Sequence, residues 1–112
     1  MELTVHVRPD GASEPAPQDG TTVHVQVRDV SLADAPSREV AAADGVTAGA
    51  PDWSADVVVD VPDGLPTDGT VTVYARVAVT GTATTAPGDW VTMRSYPLTP
   101  SGDVVVWVRR VA

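Results

Sequence analysis

The chain has 112 residues with 43% apolar and 20% charged side chains, 15 acids against 7 arginines, and a formal charge of -8. That length suits one domain, 1–112, able to hold a core without metals or disulfides; with no cysteine present, thiol nucleophiles, iron-sulfur clusters and thiolate zinc sites are excluded. Lysine is absent and the arginines are scattered, so a polyanion such as nucleic acid is not expected as a partner.

In chain order, the elements read as strands. Leu3, Val5 and Val7 alternate with Thr4, His6 and Arg8, and Val23, Val25 and Val27 alternate with His24, Gln26 and Arg28, each run with one apolar and one wet face. The segment 33–43 is alanine-rich but interrupted by Pro36, which suggests a short edge strand around Arg38–Ala42. Trp53, Ala55, Val57, Val59 and Val61 share one face, as do Val71, Val73, Ala75, Val77 and Val79. Alternation weakens from Trp90 to Tyr96. From Val104 to Val108 both faces are apolar, which predicts a central or covered strand.

Between these runs lie Pro9-Asp10-Gly11, Asp19-Gly20, Asp44-Gly45, Pro62-Asp63-Gly64, Asp68-Gly69, Pro87-Gly88 and Ser101-Gly102, which preset or permit turn dihedrals. The expected fold is all-β: a single-domain antiparallel β-sandwich or small barrel of about seven strands, connected as a meander or Greek key. Its core is expected to contain Val25, Val27, Val57, Val59, Val73, Val77, Val106 and Val108, the in-phase apolar positions of the strongest strands. Arg76, on the opposite face from Val77, is expected to cost under about 1 kcal/mol when trimmed to alanine.

Candidate chemistry is sparse. A hairpin of the first two strands, centred near Glu14-Pro15-Ala16, would set His6 opposite His24, but catalytic zinc takes three protein ligands and the facing positions offer Thr4, Thr22 and Gln26. Asp56, Asp60 and Asp63 form the densest acidic cluster without a calcium-loop signature, and aspartate before glycine is ordinary turn chemistry. No serine lies in a nucleophile elbow and no phosphate-cradling glycine pattern occurs. The expectation is therefore no enzyme, no catalytic residue, no cofactor and no metal. Among the aromatics, Trp53 is in phase with the core. Trp90 follows Pro87-Gly88-Asp89 at a strand start and Tyr74 shares the polar phase with Thr72 and Arg76, so Tyr74 and Trp90 are the exposed-aromatic candidates for partner binding.

No apolar stretch approaches the roughly 20 residues of a membrane-spanning helix, and Met-Glu-Leu-Thr-Val opens the chain without a basic and apolar leader. As written, the expectation is a cytoplasmic location, or the cell envelope if a signal segment has been removed.

The segment VHVQVRDVSLADAP, Val23 to Pro36, resembles the small bacterial lipoprotein family that includes the YbaY proteins and the YscW type III secretion pilotins. The resemblance is close at Asp29-Val30-Ser31-Leu32-Ala33-Asp34-Ala35-Pro36 and continues in order through Val73-Tyr74-Ala75-Arg76-Val77, Tyr96-Pro97-Leu98-Thr99 and the last strand to Arg109-Arg110-Val111. It implies a β-sandwich domain held at the outer membrane through an acylated cysteine, and for pilotins a part in secretin assembly. From the residues themselves, Asp29 and Ser31 suit hydrogen bonding to nearby amides at a strand end. The leading function is a non-enzymatic binding or assembly module that takes a protein or peptide of the cell envelope at a sheet edge or groove. Its rivals are a carbohydrate-related module using tryptophan and aspartate, and a purely structural accessory domain.

Overall fold

A computed structural model describes residues 1–11, 16–31 and 37–112. Its strands are β1 (Glu2–Pro9), β2 (Thr22–Asp29), β3 (Arg38–Val46), β4 (Ala55–Asp60), β5 (Val71–Val77), β6 (Trp90–Thr92), β7 (Tyr96–Pro97) and β8 (Asp103–Arg110). Period-two alternation produces them for a simple reason: successive side chains of a strand point to opposite faces, and a valine on every second position gives each strand one face that gains by leaving water. All eight core valines expected from phase are buried, together with Leu3, Val5, Val7, Val23, Trp53, Val61, Val71 and Leu98. Fully burying a valine is worth roughly 1.5 kcal/mol or more, so the shared valine face supplies most of the driving force.

One curled sheet contains all the strands, in the order β3-β2-β5-β6-β8-β1-β4, with β7 attached to β5. Its two ends nearly meet. An isolated bridge joins Ala48 to Ser54, and a Cβ built on Gly45 of β3 would lie 2.7 Å from Val57 Cγ2 of β4. Only glycine lets the ends approach this closely. The result is an all-β, almost closed barrel.

Several expectations are revised by this topology. Asp44-Gly45 is not a turn but part of β3, because the glycine serves the barrel seam; β3 thus runs further than Arg38–Ala42, while keeping its expected place at an end of the sheet. The other turn dipeptides behave as expected, Gly88 (φ 100°) and Gly102 (φ 81°) among those taking the left-handed conformation that other residues avoid. The stretch of weak alternation from Trp90 to Tyr96 holds β6, between β5 and β8, and the start of β7, which pairs with β5.

The first two strands do not form a hairpin. Instead β1 lies between β4 and β8 while β2 lies between β3 and β5, and Glu14 and Pro15 of the expected hairpin centre fall outside the described residues. Pairing of β1 with β8 is parallel, from Thr4 opposite Asp103 to Pro9 opposite Val108, so the sheet is mixed and not wholly antiparallel. A parallel pair needs a long connection, and strands from the two ends of the chain have one. Placement in mid-sheet makes β8 central as expected, yet its outward face is open: Val105 is 47% and Trp107 44% exposed.

Candidate functional site

A groove of about 860 Å³ lies on the outer face of β3-β2-β5-β6. Two cross-strand rows make its floor, Asp44–His24–Arg76–Val91 and Ala42–Gln26–Tyr74, set side by side by the antiparallel registers. These are the polar-phase residues of the strands, left outside because the valines occupy the other face. Ser37 and the loop residues Ala83, Thr84 and Thr85 form its rim.

That loop is held by an ion pair. Arg76 donates from Nε and Nη2 to Asp89 Oδ2 at 3.2 and 3.0 Å, and also reaches the carbonyls of Ala83 (3.3 Å) and Thr84 (3.0 Å). Asp89 is fully buried and accepts in addition from the Thr80 amide (2.9 Å), the Thr80 hydroxyl (3.0 Å) and the Ala86 amide (3.1 Å). Burial pushes its carboxyl towards the neutral form, but the amide bonds from Thr80 and Ala86, the Thr80 hydroxyl and the Arg76 guanidinium outweigh it and hold the pKa below the ordinary value. Arg76 is therefore a structural member of the groove wall, contrary to the small role that its polar phase suggests.

Other groove polar groups are also committed. His24 Nδ1 lies 2.7 Å from Asp44 Oδ1, and Arg28 donates to Gln26 Oε1 at 2.9 Å and Ser37 Oγ at 3.0 Å. Tyr74 is half-buried in the middle of the floor, and its hydroxyl has no hydrogen-bond partner among the described residues. The side chain that phase places here is thus available to a ligand.

Trp90 is not. It is 1% exposed and packs edge-on against Trp53 with ring centroids 5.3 Å apart at 74°, a geometry that adds about 1 kcal/mol to burial alone. Its position at a strand start suggested exposure; as the first residue of β6, opposite Val77, it shares the core phase of that valine instead. The exposed tryptophan is Trp107, which strand phase does not single out because both faces of β8 are apolar. Even-numbered valines 104, 106 and 108 claim the core, which leaves the odd positions outside. Trp107 lines a smaller cleft of about 140 Å³ with Asp10, Met93, Arg94, Tyr96 and Arg109.

His6 and His24 do not meet. His6 bridges three strands: Nδ1 is 2.9 Å from Asp56 Oδ1 on β4 and Nε2 is 3.0 Å from Asp103 Oδ1 on β8. Two carboxylate acceptors require two N–H donors, which is the imidazolium form, and the bonds to Asp103 and then Asp56 raise the His6 pKa above its ordinary value. A doubly bonded imidazolium has no lone pair for proton abstraction or metal binding. Of the acidic cluster, Asp56 turns to His6 and to Arg8 (3.1 Å), whereas Asp60 and Asp63 lie by the Met1 amino group; the three do not converge. Among the described residues no three metal-ligating side chains are assembled. The Asp29 carboxylate accepts from the Ser31 amide at 2.9 Å, the strand-end bond expected there, while Leu32 to Pro36 of the same motif fall outside the described residues.

No family model and no curated protein matches the chain. Among solved structures it is similar to an alternative pilotin from the type II secretion system of Vibrio cholerae, with a TM-score of 0.70 and 24% sequence identity over 100% of this chain and 97% of that one. The likeness covers nearly the whole of both chains and establishes a shared fold.

Proposed function

We propose that the chain is a non-enzymatic, pilotin-like binding module of the bacterial cell envelope, related to the YbaY and YscW lipoproteins, that seats a polypeptide segment in the groove floored by Tyr74. The observation that carries this reading is the full-length likeness to a pilotin structure, joined to an open groove whose central aromatic keeps an uncommitted hydroxyl. The resemblance of Val23–Pro36 to the lipoprotein family supports the same class, and a secretin is the partner that class implies. Catalysis finds no support in the groove, since His24, Arg28 and Arg76 each already serve a neighbouring side chain and, among the described residues, no nucleophile stands beside a base there.

A groove contact of this kind draws on buried area and on hydrogen bonds more than on long-range charge, so raising salt to about 0.5 M should weaken it little. The test is a pull-down from the envelope of the source cell, with the retained protein identified by mass spectrometry and the Tyr74→Ala variant run alongside. Retention of one secretion-system component by the parent, reduced about tenfold or more in Tyr74→Ala, supports the reading. Equal retention by both, or hydrolysis of a defined glycan by the purified protein, overturns it.

A further inference from the structure

We propose that the outer face of β8 around Trp107 is a second docking surface, separate from the Tyr74 groove, whose partner is a short acidic polypeptide segment carrying an apolar side chain. Three observations converge there. The first is apolar exposure: Trp107, Val105 and Met93 are 44%, 47% and 60% exposed, and half-buried Tyr96 joins them with its hydroxyl donating to the Trp107 carbonyl at 3.3 Å. The other two tryptophans are each 1% exposed. Burying two tryptophans in the core and leaving the third on an open sheet face concentrates the residue types that dominate protein interfaces, tryptophan, tyrosine, methionine and arginine, in one place.

The second observation is the size of the cleft. At about 140 Å³ it is well below the roughly 300 Å³ at which small-molecule sites begin. It fits one side chain of a larger partner, with the flat Trp107 and Val105 surface beside it to carry the rest.

Charge decides the kind of partner. The chain as a whole stands at -8 with only seven cationic side chains, yet Arg94 and Arg109 line the cleft and Arg8 is the register neighbour of Trp107 across the β1–β8 pair. Asp10 offsets Arg109 (3.1 Å) and Asp56 offsets Arg8 (3.1 Å). Arg94 is exposed and has no ion-pair partner among the described residues. A local positive excess on an acidic body attracts an acid and repels a base, and its small extent selects a short segment: a long polyanion would run from the cleft onto carboxylates within a few residues. Consecutive residues divide the two surfaces, Val91 and Thr92 lining the groove and Met93 and Arg94 lining the cleft, so each can be disabled alone.

Two measurements test this. Because Trp53 and Trp90 are buried, quencher-accessible fluorescence reports Trp107; iodide should quench it more efficiently than caesium despite the net negative charge, and Arg94→Glu should reverse that order. Caesium quenching the parent protein better than iodide overturns the electrostatic argument. Short random peptides displayed on phage are then selected on the purified protein at low salt. Enriched peptides should combine acidic with apolar residues, lose about tenfold or more in affinity for both Trp107→Ala and Arg94→Glu, recover with Trp107→Phe, and bind Tyr74→Ala as they bind the parent. Circular dichroism and thermal unfolding matched to the parent establish that the variants are folded. Neutral or basic consensus peptides, binding that survives Trp107→Ala, or retention of an acidic polysaccharide such as polygalacturonate with no peptide enriched, each overturn the proposal.

Discussion

Two ionic links hold the barrel together in different ways. Arg76–Asp89 is largely shielded from water, with Asp89 wholly buried and three further donors around it. His6 with Asp56 and Asp103 lies on the open face of β1, β4 and β8, where both carboxylates are more than half exposed. Both join a cation to carboxylate at about 3 Å, the first from β5 to the loop before β6 and the second across three strands, but a charge is costly to leave unpaired only where water cannot replace the lost partner. The buried link therefore shapes the groove wall, and the exposed one adjusts stability.

Removing the cation from each link tests the contrast. Arg76→Ala should destabilise by about 3 kcal/mol, since it strands a buried carboxylate and releases the loop carbonyls, and the midpoint of urea unfolding measures it. A loss under about 1 kcal/mol, the value suggested by the residue's polar phase, would show that the remaining donors to Asp89 suffice. His6→Gln should cost at most about 1 kcal/mol, the range of exposed ion pairs, by the same measurement. A loss equal to that of Arg76→Ala would erase the distinction drawn from burial.

The pH dependence sharpens the comparison further because the two links fail at opposite ends. The folded-state pKa of His6 lies above the ordinary 6.5, so its contribution is fully present below 6.5 and is lost as pH rises through the raised value. Asp89 is held below the ordinary 3.8, so its contribution is present above 3.8 and is lost as pH falls through the lowered value. Unfolding midpoints followed from pH 6 upwards should decline in the parent and lose that component in His6→Gln. A decline of the same size in both proteins would assign it to other groups.

Much of the architecture is legible in the chain itself. Eight valines assigned to the core by phase are buried, and the expected turn glycines other than Gly45 mark real turns, because strand periodicity and φ preference are properties of a residue and its immediate neighbours. Strand phase puts Tyr74 on the outer face for the same reason. The misreadings share a different cause. Trp90 belongs to a strand of three residues, too short for a period to declare its phase; Trp107 sits in a run apolar on both faces, where phase alone does not say which face has a neighbour.

Partnership between strands is what tertiary structure alone decided. Fourteen of the 20 buried apolar residues are valine, and one valine packs against another almost as well in many registers, so the pattern that defines the core says little about which strands adjoin. Only the folded sheet sets the first strand parallel to the last, turns His6 to Asp56 and Asp103 and away from His24, and closes the seam where Gly45 meets Val57. Local alternation determined which side of each strand is dry; the long-range pairing of strands determined which wet side chains meet, and hence where the groove and the Trp107 face lie.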